Sequence, residues 1–147
     1  MSATTAELGL DITRRFNASP EDVFDAWTSP KWCEWLGPAG FTCAASELDV
    51  RVGGSYLVRM NTPDGRPVMV AGRYLDVSRP HRLVMSWKGD YHPGETVIQL
   101  AFSADGSGTL MHFQQTGFLD AHHRDSHFAG WTSTGGSFDK LEQLLAA

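Results

Sequence analysis

The sequence predicts one α+β domain, in which a curved antiparallel sheet wraps around a long C-terminal helix and encloses an apolar cavity. Three observations support this. A strand with period two opens the chain, at least five extended runs follow between residues 41 and 115, and a helical period replaces them after Phe118. Short connections force these strands to pair antiparallel, because a parallel pair needs a crossover of a dozen residues or more. At 147 residues we expect a single domain over 1–147, with residues 1–7 flexible.

The first elements are marked by alternation and by helix signals. Apolar and polar residues alternate from Leu8 to Phe16, which predicts the first strand. Ser19 is a good cap for a helix that begins at Pro20, whose ring is preset for the first helical turn. Ser29-Pro30 breaks this helix, and a second short helix ends at Gly37-Pro38.

The central region is a series of strands joined by tight turns. The turns are Gly53-Gly54, Pro63-Asp64-Gly65, Ser78-Arg79-Pro80, Gly89 to Gly94, and Asp105-Gly106-Ser107-Gly108. In the last strand, Leu110 to Gly117, the apolar Met111 and Phe113 define the inward face, so Gln115 points inward as well. The expected order is β-α-α-β-β-β-β-β-α, with six or seven strands in the sheet.

A long amphipathic helix is predicted to close the chain. At 100° per residue, one stripe of this helix contains His123, His127, Trp131, Thr134, Phe138, Leu141 and Leu145. Gly130, Gly135 and Gly136 lie inside it, where each costs about 1 kcal/mol relative to alanine. Close packing of the helix backbone on the sheet, or an occupant of the space between them, would offset that cost.

Composition excludes several classes of function. The net charge is -5 and the basic residues are scattered, so we expect no nucleic-acid partner. No stretch approaches the roughly 18 apolar residues of a membrane span, and the N-terminus has no secretion signal, so we expect a cytoplasmic protein. Cys33 and Cys43 lack a zinc or CxxC spacing and are predicted to be two buried thiols. No GxSxG, Walker or GxGxxG motif is found, and no cofactor is predicted.

Short motifs in a fixed order run from about Ile12 to Leu144. They are Ala18-Ser19-Pro20-Glu21-Asp22-Val23-Phe24, Trp35-Leu36-Gly37-Pro38, Asp49-Val50-Arg51-Val52-Gly53-Gly54, Gly72 with Arg82-Leu83-Val84, Gly108-Thr109, and Gly130-Trp131. With the order of elements, they make the chain resemble the START-like, helix-grip (Bet v-like) fold of the SRPBCC superfamily. Within it, the chain is similar to the branch named for the activator of heat-shock-protein-90 ATPase.

The resemblance implies a cavity between the sheet and the C-terminal helix that holds a small hydrophobic molecule. Family members named for chaperone activation carry a separate N-terminal chaperone-binding domain. Because the first predicted strand begins near Leu8, we expect no such domain here, which argues against a chaperone partner. A homodimer is left open.

Nine residues are candidates for ligand contact: Trp35, Met60, Tyr74, Met85, Trp87, Phe113, Gln115, His127 and Trp131. The tryptophans serve either as core or as rigid cavity lining. The amide of Gln115 is satisfied either by neighbouring side chains or by a ligand, and His127 is either a core histidine or an acid–base group. His123 and His127 lie four residues apart, but no third ligand is recognisable, so no metal site is predicted.

Binding of a small hydrophobic or aromatic ligand, with no reaction and no catalytic residue assigned, is the function that these patterns favour. One alternative is a cavity enzyme of the cyclase, dehydratase or hydrolase type, in which His127 with Gln115 or Tyr74 places and protonates a carbonyl substrate. Another alternative is an interaction module that acts on a chaperone or on a second copy of itself through exposed tryptophans of the second helix.

Overall fold

The computed structural model describes residues 8–146, which form one seven-stranded sheet and four helices. In chain order the elements are β1 (Leu8–Phe16), α1 (Pro20–Thr28), α2 (Trp32–Trp35), β2 (Thr42–Leu48), β3 (Ser55–Asn61), β4 (Pro67–Ser78), β5 (Arg82–Gly89), β6 (Thr96–Asp105), β7 (Gly108–Phe118), α3 (Ala121–Thr132) and α4 (Ser137–Ala146). The predicted flexibility of residues 1–7 concerns a segment outside this range.

The strands form an open antiparallel sheet in the order β1-β7-β6-β5-β4-β3-β2. Strands β2 to β7 are a meander, and β1 extends the sheet by pairing with β7. The register places Ile12 opposite Phe113, so that the apolar side chains of both strands share the buried face. A register shift between Tyr74 and Asp76 is a bulge, which bends and twists the sheet. The α+β class and the curved antiparallel sheet are thereby confirmed.

The first helix follows the predicted capping chemistry. Helix α1 begins at Pro20, and the Ser19 hydroxyl accepts a hydrogen bond from the Asp22 amide at 3.1 Å. Helix α2 is a single turn, and a disulfide joins its Cys33 to Cys43 of β2. The prediction of two separate thiols is therefore wrong for this structure, since the chain brings two cysteines ten residues apart into bonding contact.

The predicted long C-terminal helix is two helices with a break between them. Helix α3 ends where Ser133 turns to an extended conformation, and Gly135 adopts a φ of +75°, a left-handed value that suits glycine. The resulting turn lets α4 reach the core beside α3, where the ring of Phe138 stacks on that of Trp131 with centroids 5.3 Å apart. Gly135 therefore lies in the turn between two helices and does not weaken the interior of one.

Tryptophans occupy the centre of the core. The ring of Trp27 lies 4.7 Å from Trp35 and 6.0 Å from Trp131 between centroids. Trp32 packs edge-to-face on Tyr56 at 5.1 Å, and Trp32 and Trp35 are both fully buried. The expected patch of exposed tryptophans on α2 is therefore wrong, because this short helix turns both indoles into the core instead of toward solvent.

Candidate functional site

A cavity of about 300 Å³ lies between α3 and the part of the sheet formed by β3, β4 and β5. Its walls are mainly apolar and aromatic. The lining residues are Leu36, Gly37, Pro38, Phe41, Met60, Thr62, Arg66, Val68, Trp87, Tyr91, Ser126, His127, Gly130, Trp131 and Ser137. The sheet, α3, the first residue of α4 and the loop between α2 and β2 each contribute a wall, so the chain builds the cavity from elements that are distant in sequence.

The loop between α2 and β2 is fixed by hydrogen bonds to α4. The Ser137 hydroxyl donates to the Gly37 carbonyl and accepts from the Gly37 amide, both at 3.0 Å, and all these groups are buried. The Lys140 ammonium donates to the Pro38 carbonyl at 3.4 Å. Across the cavity, Gly130 of α3 approaches Pro38 so closely that a Cβ there would lie 3.3 Å from the proline ring. Gly130 thus has a packing role and lines the cavity as well.

Four of the nine predicted contact residues line this cavity: Met60, Trp87, His127 and Trp131. The other five lie in the core behind it, and all of these are buried: Trp35, Tyr74, Met85, Phe113 and Gln115. They face inward as the strand and helix patterns indicate, but the buried face of the sheet is larger than the cavity. Inward direction alone therefore does not distinguish cavity lining from core.

Gln115 is satisfied by neighbouring side chains. Its amide nitrogen donates to the Thr96 hydroxyl at 2.9 Å, and its amide oxygen accepts from the Trp131 indole N–H at 3.0 Å. The Thr96 hydroxyl in turn donates to the carbonyl oxygen of Trp87 at 3.2 Å. Because Trp131 and Trp87 both line the cavity, this buried network orients two of its walls from behind.

Tyr74 is fully buried, and its hydroxyl has no hydrogen-bond partner in the described part of the chain. Burial raises the pKa of Tyr74 well above its ordinary value, with a smaller contribution from Asp49. Its ring packs on Tyr56, with centroids 5.6 Å apart. Tyr74 is thus a core residue, and the enzyme alternative loses both partners that the sequence suggested for His127, since Gln115 is also withdrawn from the cavity.

Three polar atoms of the cavity wall form a hydrogen-bonded chain. The Trp87 indole N–H donates to the Tyr91 hydroxyl oxygen at 3.1 Å, and that hydroxyl lies 2.6 Å from Nε2 of His127. Nδ1 of His127 lies 2.7 Å from the carbonyl oxygen of His123. A carbonyl oxygen only accepts, so Nδ1 carries the proton, and Nε2 of the neutral ring accepts from Tyr91. The direction of every bond in the chain is thereby assigned.

The surroundings of Tyr91 and His127 favour the neutral form of both side chains. Burial lowers the pKa of His127, and the nearby His92 and His123 lower it further, whereas the hydrogen bond to the His123 carbonyl opposes them. Although 40% of Tyr91 is exposed, its hydroxyl lies between Trp87 and His127, and burial of that group raises the pKa of Tyr91 to about 12. Near neutral pH the pair is an uncharged phenol hydrogen-bonded to an uncharged imidazole.

The histidines of α3 do not assemble a metal site. Nδ1 of His123 lies 2.8 Å from a carboxylate oxygen of Asp120, and His127 is engaged at both ring nitrogens. Within residues 8–146, no group of three or more His, Cys, Asp or Glu side chains is placed to hold a metal ion. The cavity therefore offers hydrogen bonding and apolar surface.

Sequence reasoning missed several lining residues that lie in loops and turns, among them Phe41, Thr62, Arg66 and Tyr91. Tyr91 falls in the segment from Gly89 to Gly94, which the sequence marks only as a turn. Alternation along strands carries no information about such positions. The signal that could have identified Tyr91 as a lining residue is an aromatic side chain inside a turn rich in glycine. A turn has no apolar face of its own that would account for such a side chain.

The sequence and the fold are similar to those of known proteins. The chain matches the model of the family described as Activator of Hsp90 ATPase homolog 1-like protein over residues 17–146. A solved structure from Chromobacterium violaceum is similar at 27% identity, with a TM-score of 0.87 and coverage of 95% of this chain and 97% of that one. One from Rhodobacter sphaeroides has 28% identity, a TM-score of 0.80 and coverage of 94% and 92%.

A third solved structure, the AHSA1 protein of Silicibacter pomeroyi, has 26% identity, a TM-score of 0.79 and coverage of 95% of this chain and 98% of that one. No curated protein matches the sequence. Among the described residues, none of the helices has both the length and the hydropathy needed to span a membrane.

Proposed function

We propose that this chain, which belongs to the Activator of Hsp90 ATPase homolog 1-like family, binds a small apolar or aromatic molecule in the cavity between α3 and the sheet. The family match confirms the resemblance that the motifs predict. The observation that carries the proposal is the cavity itself, with about 300 Å³ of space and walls that include Trp87, Tyr91 and Trp131.

The size and the walls of the cavity define the class of ligand. Small-molecule sites have volumes of roughly 300–1,000 Å³, are mostly apolar and carry a few placed polar groups. An apolar cavity of about 150 Å³ is large enough for a benzene molecule. A cavity of about 300 Å³ therefore suits a compound with two or three fused or linked rings. Flat aromatic ligands gain additional stabilisation from offset or edge-to-face contacts with tryptophan and tyrosine rings.

The test is a fluorescence titration with N-phenyl-1-naphthylamine, a neutral compound whose emission rises in apolar surroundings. We expect saturable binding to one site and quenching of tryptophan emission, because two indoles line the cavity. Ser126→Phe places a ring at a lining position of α3 and should weaken binding at least tenfold. Ala129→Phe adds the same ring at an exposed position of the same helix outside the lining, and is the matched control.

Two results would contradict the proposal. The first is absence of saturable binding to the wild-type protein by this probe. The second is equal affinity in the wild-type protein and in Ser126→Phe, since the probe would then occupy another surface. Far-ultraviolet circular dichroism and thermal unfolding of both variants establish that they are folded before the affinities are compared.

A second candidate function, acid–base catalysis in the same cavity, is favoured by the pair formed by Tyr91 and His127. A neutral imidazole with its Nδ1 proton held by a backbone carbonyl presents Nε2 as a base to the tyrosine hydroxyl. The pair could then pass a proton between this ring and a bound hydroxyl or carbonyl group through the Tyr91 oxygen. This arrangement replaces the pairs with Gln115 or Tyr74 that the sequence suggested.

Hydrolysis of a panel of 2-naphthyl esters tests this second candidate. If the pair is catalytic, turnover by the wild-type protein should fall at least a hundredfold in His127→Gln and in Tyr91→Phe. It should also decline as the pH is lowered and His127 is protonated. Absence of turnover above the uncatalysed rate, or equal rates in the wild-type protein and both variants, would leave ligand binding as the function of the cavity.

A further inference from the structure

We propose that the ligand is an acid: an apolar or aromatic molecule that carries one anionic group, which pairs with the guanidinium of Arg66 at the rim of the cavity. This inference rests on the proposed binding function and names the class of its ligand. It follows from the charges of the residues that line the cavity, which are of one sign.

Arg66 is the sole ionised side chain among the lining residues that the structure describes, and no aspartate or glutamate is among them. His127 contributes no charge near neutral pH, because burial lowers its pKa. The chain as a whole is acidic, with 17 Asp and Glu against 12 Lys and Arg. This net charge by itself disfavours an anion, so the preference for an anionic group over a cationic one comes from the local charge of Arg66 at the cavity.

Arg66 also differs from most other arginines of the chain in having no carboxylate partner. Of the nine arginines, six form ion pairs with aspartate or glutamate: Arg14, Arg15, Arg51, Arg79, Arg82 and Arg124. Within residues 8–146, Arg59, Arg66 and Arg73 form none. Of these three, Arg66 alone lines the cavity. Its guanidinium is therefore free to engage a ligand.

The backbone of Arg66 is held in a tight turn that follows β3. The Thr62 amide donates to the Arg66 carbonyl at 2.9 Å, and the Arg66 amide donates to the Thr62 hydroxyl at 3.0 Å. The Thr62 hydroxyl itself donates to the carboxylate of Asp64. Asp64, the nearest acid along the chain, is hydrogen-bonded within the turn and forms no ion pair with Arg66 in the described range. The hydrogen bond from Thr62 has the largest part in lowering the pKa of Asp64, and its carboxylate still lies close enough to Arg66 for that charge to contribute to the lowering.

The energetics favour an ion at the rim and an apolar body inside. A fully buried charge costs several kcal/mol of desolvation, whereas an exposed arginine lets the anionic group of the ligand stay partly hydrated. The planar guanidinium also matches a carboxylate through two parallel hydrogen bonds. Because Arg66 is exposed, we expect a preference near the upper limit for surface ion pairs, about fivefold in affinity, and a reduction of that preference by salt.

Displacement of N-phenyl-1-naphthylamine by three compounds of nearly equal shape tests the inference: 2-naphthoate, 2-naphthamide and 2-naphthylmethylammonium. These compounds carry charges of minus one, zero and plus one. We expect the naphthoate to bind the wild-type protein about fivefold more tightly than the amide and the ammonium compound to bind most weakly. In Arg66→Gln the naphthoate and the amide should bind equally, and Arg66→Lys should restore part of the difference.

Arg59→Gln is the matched control, because it removes the same charge from an exposed position of β3 outside the cavity and should keep the preference for naphthoate. Equal binding of naphthoate and amide to the wild-type protein, with both displacing the probe, would overturn the inference and leave the proposed function standing. A preference for naphthoate that survives in Arg66→Gln would overturn it as well. Absence of binding by the probe and all three compounds would overturn the proposed function and the inference together.

Discussion

Replacing Gln115 with leucine tests the buried network behind the cavity, because leucine has a similar volume and no hydrogen-bonding group. The substitution leaves the Trp131 indole N–H without the acceptor that now lies at 3.0 Å. The Thr96 hydroxyl loses a donor but keeps its bond to the Trp87 carbonyl. The main cost is thus one buried, unsatisfied donor, which amounts to about 1–3 kcal/mol. We take about 2 kcal/mol as the expected loss in the free energy of unfolding.

That loss converts to a measurable shift in melting temperature. An unfolding entropy of about 2.1 cal/mol/K per residue gives about 0.3 kcal/mol/K for 147 residues, so 2 kcal/mol lowers the melting temperature by roughly 6 °C. Gln114→Leu is the control, since Gln114 lies on the other face of β7 and bonds to the exposed Asp11. Urea and thermal unfolding followed by tryptophan fluorescence should show a change within about 0.5 kcal/mol for that variant.

A double-mutant cycle assigns the cost to the indole N–H. In a Trp131→Phe background there is no indole N–H that could lose its acceptor. Gln115→Leu should therefore lower the free energy of unfolding by at least about 1 kcal/mol less than it does in the wild-type protein. If Gln115→Leu is as stable as the wild-type protein, or if its cost is the same in both backgrounds, Gln115 does not hold Trp131 as described.

Two further predictions concern the walls of the cavity. Burial lowers the folded-state pKa of His127 below 6.5, so between the two values the unfolded chain binds more protons. The free energy of unfolding should therefore fall as the pH drops below about 6.5, by up to about 1.4 kcal/mol per pH unit. This dependence on pH should be weaker in His127→Gln but unchanged in His81→Gln, at an exposed site. Identical pH dependence in the wild-type protein and His127→Gln would refute this. Ser137→Ala should lower the free energy of unfolding in urea by about 2 kcal/mol, because the buried amide and carbonyl of Gly37 lose their hydrogen-bond partner. Ser133→Ala, at an exposed site, should change this free energy little. Equal losses in the two variants would contradict the role given to Ser137.

The elements that were predictable from sequence are those with a regular period or a local chemical signal. The limits of β1, from Leu8 to Phe16, follow from strict alternation, and the start of α1 follows from Ser19 and Pro20, whose capping chemistry is local. The inward direction of Gln115 follows from alternation along β7, because it lies two residues after the inward-facing Phe113. Each of these inferences depends on neighbours within a few residues, and each agrees with the structure.

The features that escaped prediction depend on contacts between distant segments. The break before α4 requires knowledge that Phe138 packs beside Trp131, since helical periodicity continues across Gly135. Tyr91 enters the cavity wall from a loop and meets His127 across 36 residues. Tyr91 lies on no periodic face, because it falls between β5 and β6. Along the sheet, cavity lining and core could not be distinguished from sequence, because the side chains of both face inward. The cytoplasmic location and the absence of a cofactor stay predictions.

The central claim is that a small aromatic molecule binds between α3 and the sheet, and intermolecular nuclear Overhauser effects to bound 2-naphthamide test it most directly. Being neutral, this compound probes the cavity independently of Arg66. The account predicts contacts from the naphthalene protons to the ring protons of Trp87 and Trp131. Contacts to the exposed side chains of Leu119 and Phe128 instead, with none to the two indoles, would contradict it.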